Sequence, residues 1–491
     1  MRRLLALLLL CTWLPARAEG LPELGDVSDA TLSETQERTV GNRIMRDVRS
    51  DPAFVDDPEI ADYIKSIGAR LLAAADGPRR DIEYFVVQDE TVNAFALIGG
   101  HVGVQTGLLL LTQNESELAG VLGHETAHIL QRHQARLYAS QGKYQLASLA
   151  ALALAIIASR SGSSSSGQMT EAAVVGASAL SIQGQLDYTR EHEREADRVG
   201  LVLMQRAGFD PRGMETFFDR MMRNNRLNEL KGAPSYLRTH PLTTERHADM
   251  QSRIENNAER AGTALRMVPD SFDYRLAKAK IRAGTGSATE AVAYFRNALA
   301  DKTVTRPREE VFGLALALRR LRDFPAAERE LATIRAVNGD HPAFEWLAAQ
   351  LKIDQKRDEE ALAIYRSALK AFPGHRSLQY GYVDLLLSLG RRTEALAALE
   401  ERLRTVQDDP RLYELQAKAF EASGKRVSQH RSQAEAYFRR GNLAAAVDQL
   451  ELAVKVRGSD FYEQSMAESR LQQLRFQLDN EKAAEKALKI S

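Results

Sequence analysis

The sequence predicts an α+β domain followed by an all-α solenoid, and three observations carry that expectation. Residues 19–262 mix helical periodicity with short stretches that alternate like strands, among them "IEYFVV" (82–87) and "HVGVQTG" (101–107). From about residue 270 the chain reads as helices only, so the second domain is placed at 263–491. At 491 residues the chain is also too long for one hydrophobic core.

The first 18 residues belong to neither domain. Arg2 and Arg3 precede a short apolar run that ends in Ala16-Arg17-Ala18, the pattern of a secretory signal peptide cut after Ala18. The run is too short to span a bilayer, and no stable membrane span is expected elsewhere. The only cysteine, Cys11, lies inside it, so the mature chain has no thiol and needs no disulfide. A signal peptide with no mature cysteine suits a bacterial periplasm. The formal net charge is 0, or −3 once the three arginines of the leader are gone, which argues against a nucleic-acid partner.

Two stretches interrupt the first domain. "LASLAALALAIIA" (146–158) is apolar, and "SGSSSSG" (161–167) is a flexible loop by composition. With "TEAAVVGASALSI" (170–182) they read as a buried helical hairpin, with a movable lid or membrane-facing flap as the alternative.

The second domain repeats. Ala291, Ala327, Ala361 and Ala395 recur at spacings of 36, 34 and 34 residues in similar segments, and "GNLAAAVDQLELAV" adds a more distant copy. A period of about 34 with small residues where helices pack closely is the tetratricopeptide signature. Such arrays curve and offer a concave face to peptides or proteins, so a partner-binding role is preferred over simple bracing.

Chemistry concentrates in "VLGHETAHIL" (121–130). Asn114, three residues before Glu117, resembles the start of a capped helix. On that helix His124 and His128 are four residues apart, on one face, as two nitrogen ligands of a tetrahedral zinc must be. Glu125 is then placed to take a proton from a zinc-bound water. Gly123 and Ala127 leave room around the imidazoles.

A catalytic zinc needs a third protein ligand. "TREHEREADRVG" (189–200) offers several. Glu193, Asp197, Gly200 and Met204 share one helical stripe, whereas Glu191, Glu195 and Arg198 form a charged stripe expected to face water. Glu193 is therefore the expected ligand, with His192 as its main rival. Asp197, one turn on, is expected to hydrogen-bond the far nitrogen of a ligating histidine.

"HETAH" followed by "EREAD" resembles the zinc peptidases of the prenyl-protease and heat-shock membrane-protease family, in which the first glutamate of E-x-x-A-D is the third ligand. That motif falls on Glu193 here. The resemblance implies a zincin-like (gluzincin) fold, one Zn2+ per chain and endopeptidase activity. It extends over "NAFALIGGHVGVQTGLL" (93–109), where Ile98-Gly99-Gly100 replaces the usual Pro-Gly-Gly. Gly99-Gly100 suits a hairpin turn, and Asn93, Ala94 and Phe95 are the expected strand on which a substrate backbone could add. A plain structural hairpin is compatible with the same residues.

The leader, peptidase domain and repeat tail together resemble a periplasmic branch of that family. The resemblance implies unfolded or stalled outer-membrane β-barrel proteins as clients and the outer-membrane assembly machinery as a partner of the repeats. It also implies that the His-Pro loop in "LRTHPLTTER" (237–246) approaches the metal. His240 is then either a fourth ligand that silences the enzyme or a group that stabilises the oxyanion; from the residues alone it also reads as a surface-loop histidine. Arg246 is expected to anchor the loop or pair with a site carboxylate. The other histidines, His133 among them, show no ligand spacing. The expected enzyme is thus a zinc endopeptidase; the alternatives are a chaperone or assembly scaffold with a plugged site, and a secreted scavenging protease that would have no use for the repeats.

Overall fold

The computed structural model describes residues 32–77, 80–141, 179–227, 235–261, 268–300, 308–338, 340–458 and 460–487. The segments expected to form a leader (1–18), a loop (161–167) and a hairpin (146–182, all but its last four residues) lie outside these residues.

The N-terminal domain opens with α1 (Glu34–Ser50) and α2 (Pro58–Ala73). Ser33 caps α1 in a reciprocal capping box with Gln36, and Asp57 caps α2. Strands β1 (Glu83–Val87), β2 (Ala94–Leu97) and β3 (His101–Gln105) follow. They form one sheet in the order β1-β3-β2, with β1 parallel to β3 and β2 antiparallel to it. Gly99 and Gly100 join β2 to β3, both at positive φ (86° and 91°), as a tight hairpin turn demands. A Cβ on Gly99 would meet the Glu37 carbonyl oxygen at 2.6 Å, so the turn also sits flat against α1.

The strands alternate between two cores rather than between core and water. Tyr84, Val86, Val102 and Val104 face the main core with α2, while Phe85, Val87, Phe95 and Leu97 face a second core with Val40, Ile44 and Met45 of α1. The expected strand over 101–107 stops at Gln105, and α3 (Thr106–Leu111) begins there. Thr106 Oγ1 and the Gly107 N–H both donate to the Asp89 carbonyl, at 2.9 and 2.7 Å, which turns the chain out of the sheet.

The central helix α4 (Glu115–Leu130) is buried on every side from Glu115 to Ile129. Asn114 Oδ1 accepts from the Glu117 N–H at 2.9 Å, while Glu117 Oε2 reaches the Gln113 N–H rather than that of the cap. After α5 (His133–Gln141) the described chain resumes with the long α6 (Ala179–Arg206), then α7 (Arg212–Leu227), α8 (Ser235–Thr239) and α9 (Thr244–Ala261). Helices α4 and α6 cross at two glycines. A Cβ on Gly200 would lie 2.9 Å from both Gly123 C and His124 N, so only glycine permits this approach.

The remainder is helical: α10 (Phe272–Gly284), α11 (Ala288–Ala300), α12 (Arg308–Arg320), α13 (Phe324–Asn338), α14 (Pro342–Asp354), α15 (Asp358–Ala371), α16 (Arg376–Ser388), α17 (Arg392–Leu403), α18 (Pro410–Ala422), α19 (Arg426–Arg439), α20 (Leu443–Lys455) and α21 (Phe461–Ala487). Each packs on its successor. Ala291, Ala327, Ala361 and Ala395 are buried where helices meet, which is why the repeat shows as alanine. The array is fastened to the first domain: Tyr274, Ala277 and Ile281 of α10 enter its core, Arg376 pairs with Asp62 at 2.7 Å, and Arg46 of α1 pairs with Glu481 of α21 at 3.0 Å. Among the described residues no helix is long and apolar enough to cross a membrane.

Candidate metal centre

Helix α4 brings His124, Glu125 and His128 to one buried point, and α6 lies across it with Glu193 and Asp197. The α8–α9 connection supplies His240, and α9 supplies Arg246. His124, His128, Glu193 and His240 each offer a ligand atom, all within 4.8 Å of one another, and they are the only such group among the described residues.

The separations fit an ion. His124 Nε2 lies 3.0 Å from His128 Nε2, 3.4 Å from Glu193 Oε2 and 3.3 Å from His240 Nδ1. His128 Nε2 lies 3.3 Å from Glu193 Oε1, and His240 Nδ1 lies 3.0 Å from that same oxygen. A tetrahedral ion with bonds of about 2.05 Å has ligand–ligand edges of about 3.3 Å. Two imidazole nitrogens turned on each other at 3.0 Å, beside a carboxylate, form a donor set that a divalent cation satisfies.

Electrostatics agree. Burial alone pulls His124 down, but Glu193 and the hydrogen bond to Asp197 outweigh it and lift its pKa to about 10. Burial holds His128 below its ordinary value. Burial opposes ionisation of Glu193 too, yet the surrounding histidines keep its carboxyl well below the usual carboxylate range. The site is thus built to hold an anionic carboxylate among imidazoles, the arrangement a cation favours.

Asp197 Oδ1 lies 3.0 Å from His124 Nδ1, on the far side of the ring. Arg246 donates to both oxygens of Asp197, at 2.7 and 2.8 Å, to the Pro241 carbonyl at 2.8 Å, and lies 3.0 Å from Glu193 Oε2. It therefore both anchors the loop and pairs with site carboxylates. Glu125 is 0% exposed, and neither carboxylate oxygen has a hydrogen-bond partner; His240 Nε2 is 3.4 Å from one of them. A buried carboxylate without hydrogen bonds is costly, so Glu125 has no structural partner that accounts for its burial.

Some expected residues sit elsewhere. His192 stands outside the cluster, stacked on His133 at 4.1 Å between ring centres. Asn93, Ala94 and Phe95 are buried. The free edge of β2 is already met by protein: Gln134 donates to the Ala96 carbonyl at 3.0 Å, and the Tyr236 N–H to that of Val92 at 3.1 Å. Glu195, expected to face water, lies 3.3 Å from His133 Nε2 and 3.1 Å from Arg136 Nη1. His133 Nδ1 in turn lies 2.8 Å from His128 Nδ1. Sequence reading missed His133 because five residues from His128 is off the helical face; only a sharp turn after Leu130 brings it back.

Comparison with known proteins accords with this geometry. The profile of Peptidase family M48 matches residues 58–254, and two tetratricopeptide repeat profiles match 312–376 and 352–419. The beta-barrel assembly-enhancing protease of Yersinia pestis is 30% identical over 463 residues, covering 94% of this chain and 93% of its own. That of Escherichia coli is 29% identical over 465 residues, covering 93% and 92%. The mitochondrial metalloendopeptidase OMA1 of Schizosaccharomyces pombe is 32% identical over 184 residues, covering only 38% of this chain and 50% of its own. The likeness to the two bacterial proteins runs through peptidase domain and repeats alike, so the chain belongs to the beta-barrel assembly-enhancing proteases, metallopeptidases of family M48.

Proposed function

We propose that the chain is a periplasmic zinc endopeptidase that promotes assembly of outer-membrane β-barrel proteins and degrades clients that stall. In this reading residues 1–18 direct export, 19–262 form the peptidase domain and 263–491 the repeat array. The observation that carries it is the convergence of His124 Nε2, His128 Nε2 and Glu193 within 3.0–3.4 Å of one another, beside an unbonded Glu125.

His124, His128 and Glu193 hold the ion. When bound, zinc supplies a Lewis acid without redox chemistry, suited to peptide hydrolysis. Glu125 takes the proton of the attacking water and returns it to the leaving amine. Asp197 fixes the tautomer of His124, and Arg246 holds Asp197, Glu193 and the 240–246 loop in one unit. Ala94 and Phe95 of β2, with Asn93 just before it, would offer an edge to a client backbone once Gln134 and the Tyr236 N–H release the Ala96 and Val92 carbonyls. The repeat array receives the client or the assembly machinery on its concave face.

The test is Glu125→Gln in the full-length, zinc-loaded protein. Zinc content should stay at one per chain while cleavage of an unfolded β-barrel client is lost. Cleavage at the wild-type rate refutes the role of Glu125.

A second reading is a chaperone or assembly scaffold whose zinc site is normally closed. It is favoured by the position of the segment 236–240: His240 sits among the ligands while the Tyr236 N–H occupies the Val92 carbonyl at the sheet edge. Both activities can coexist if that segment withdraws only for some clients.

A further inference from the structure

The three residues that converge from α4 and α6 are supported unequally. Glu193 is held by Arg246, and His124 ends on the carboxylate of Asp197. His128 has no carboxylate at its Nδ1. Instead its Nδ1 faces His133 Nδ1 at 2.8 Å, and His133 Nε2 faces Glu195 Oε2 at 3.3 Å.

Proton placement along this chain follows from the ligand role proposed above, on which the inference rests. A histidine that ligates through Nε2 keeps its hydrogen on Nδ1. His128 Nδ1–H then donates to His133 Nδ1, which must be bare. His133 therefore carries its hydrogen on Nε2 and donates it to Glu195. Each ring nitrogen along the line then has one role and one partner, and Glu195 Oε2 accepts from both His133 and Arg136. We propose that His133 is a positioning residue of the metal centre, a relay that couples the Glu195 carboxylate to His128 and so sets the tautomer and ring orientation of that ligand.

The surroundings are built to hold the relay. His192 lies flat on His133, with 4.1 Å between ring centres and 8° between planes, which fixes the imidazole about its χ2 axis. Arg136 donates to Glu195 at 3.1 Å and keeps its carboxylate turned inward. The backbone is bent for the purpose. Arg132, between α4 and α5, adopts φ 52°, a left-handed conformation unusual for an arginine. That turn ends α4 and swings His133 back under His128. It is held by a buried clamp: Arg132 Nε donates to Glu37 at 2.8 Å and its Nη2 to the Leu32 carbonyl at 2.7 Å. Strain of this kind persists only where the surroundings over-determine it, and it collects at functional sites.

Helix α6 thus supplies the anchors of both histidines as well as Glu193 itself. Asp197 supports His124 directly, and Glu195 supports His128 through one intervening ring. The two carboxylates lie two residues apart on α6 and so on different faces of the helix. The longer arm reaches the face that the first cannot.

The test is zinc affinity by chelator competition on full-length protein, with circular dichroism of each apo variant to confirm folding. His133→Leu is expected to weaken zinc binding by about 10–100-fold, the usual cost of losing a residue that orients a ligand. His133→Gln offers an amide oxygen to the same Nδ1–H and should recover most of that loss. His133→Leu binding zinc within threefold of wild type overturns the relay and leaves the metal site standing, whereas a wild type that binds no zinc overturns both. Should His133→Leu not fold, nitrogen-15 NMR of histidine-labelled, zinc-loaded wild type reads the tautomer directly. A protonated Nε2 and bare Nδ1 on His133 support the relay, and the opposite tautomer refutes it.

Discussion

His240 Nδ1 lies 3.0 Å from Glu193 Oε1, although 47 residues separate the two. The loop that carries His240 is thereby fastened to Glu193, and in the proposed reading a fourth donor there would compete with the water the reaction needs. Replacing His240 by alanine frees that position. Cleavage of an unfolded client should rise by about tenfold, the factor that ~1.4 kcal/mol of preference for the closed arrangement implies. Zinc content should be unchanged. A fall of a hundredfold would instead assign His240 to oxyanion stabilisation.

Asp197 meets His124 at 3.0 Å and receives two hydrogen bonds from Arg246. Asp197→Asn keeps the shape but can present an amide N–H to the imidazole, favouring the wrong tautomer. Zinc affinity should fall by about 10–100-fold in chelator competition, with the fold intact by circular dichroism. An unchanged affinity would mean that His124 is oriented by packing alone.

The joint between the two domains should respond to alkali. Burial pulls Lys278 of α10 down to about 8, only partly countered by Asp270 and Glu117; its ammonium donates to the Thr112 carbonyl. In the unfolded chain the same group keeps its proton to about 10.4. Between these values the unfolded chain binds more protons, so raising pH stabilises the folded state. From pH 7.5 to 9.5 the wild-type melting temperature should gain on that of Lys278→Met by roughly 2 °C. A constant difference between the two proteins across that range would show that the folded protein holds the Lys278 proton as tightly as the unfolded chain does.

Short-range patterns in the sequence carried much of this structure, because local geometry decides them. The four-residue spacing of His124 and His128 and the stripe through Glu193, Asp197 and Gly200 are helical facts, and the folded chain keeps both stripes' inner residues buried. The alanine period likewise reports helix contacts within neighbouring repeats. What escaped depends on tertiary turns. His133 reaches His128 only because Arg132 adopts φ 52°, and Glu195 turns inward only because His133 and Arg136 await it. The strand expected to run to 107 gave way to the hydrogen bonds from Thr106 and Gly107 to Asp89, which no period-two pattern reveals.

Within the cluster of possible ligands Glu193 is the one that comes from α6, and it joins that helix to the two histidines of α4. Metal analysis of purified full-length wild type and Glu193→Ala, after dialysis against a weak chelator, addresses that joint directly. The account expects about one zinc per wild-type chain, in keeping with one three-residue site, and well below half that amount in the variant. Equal zinc in both proteins would contradict it.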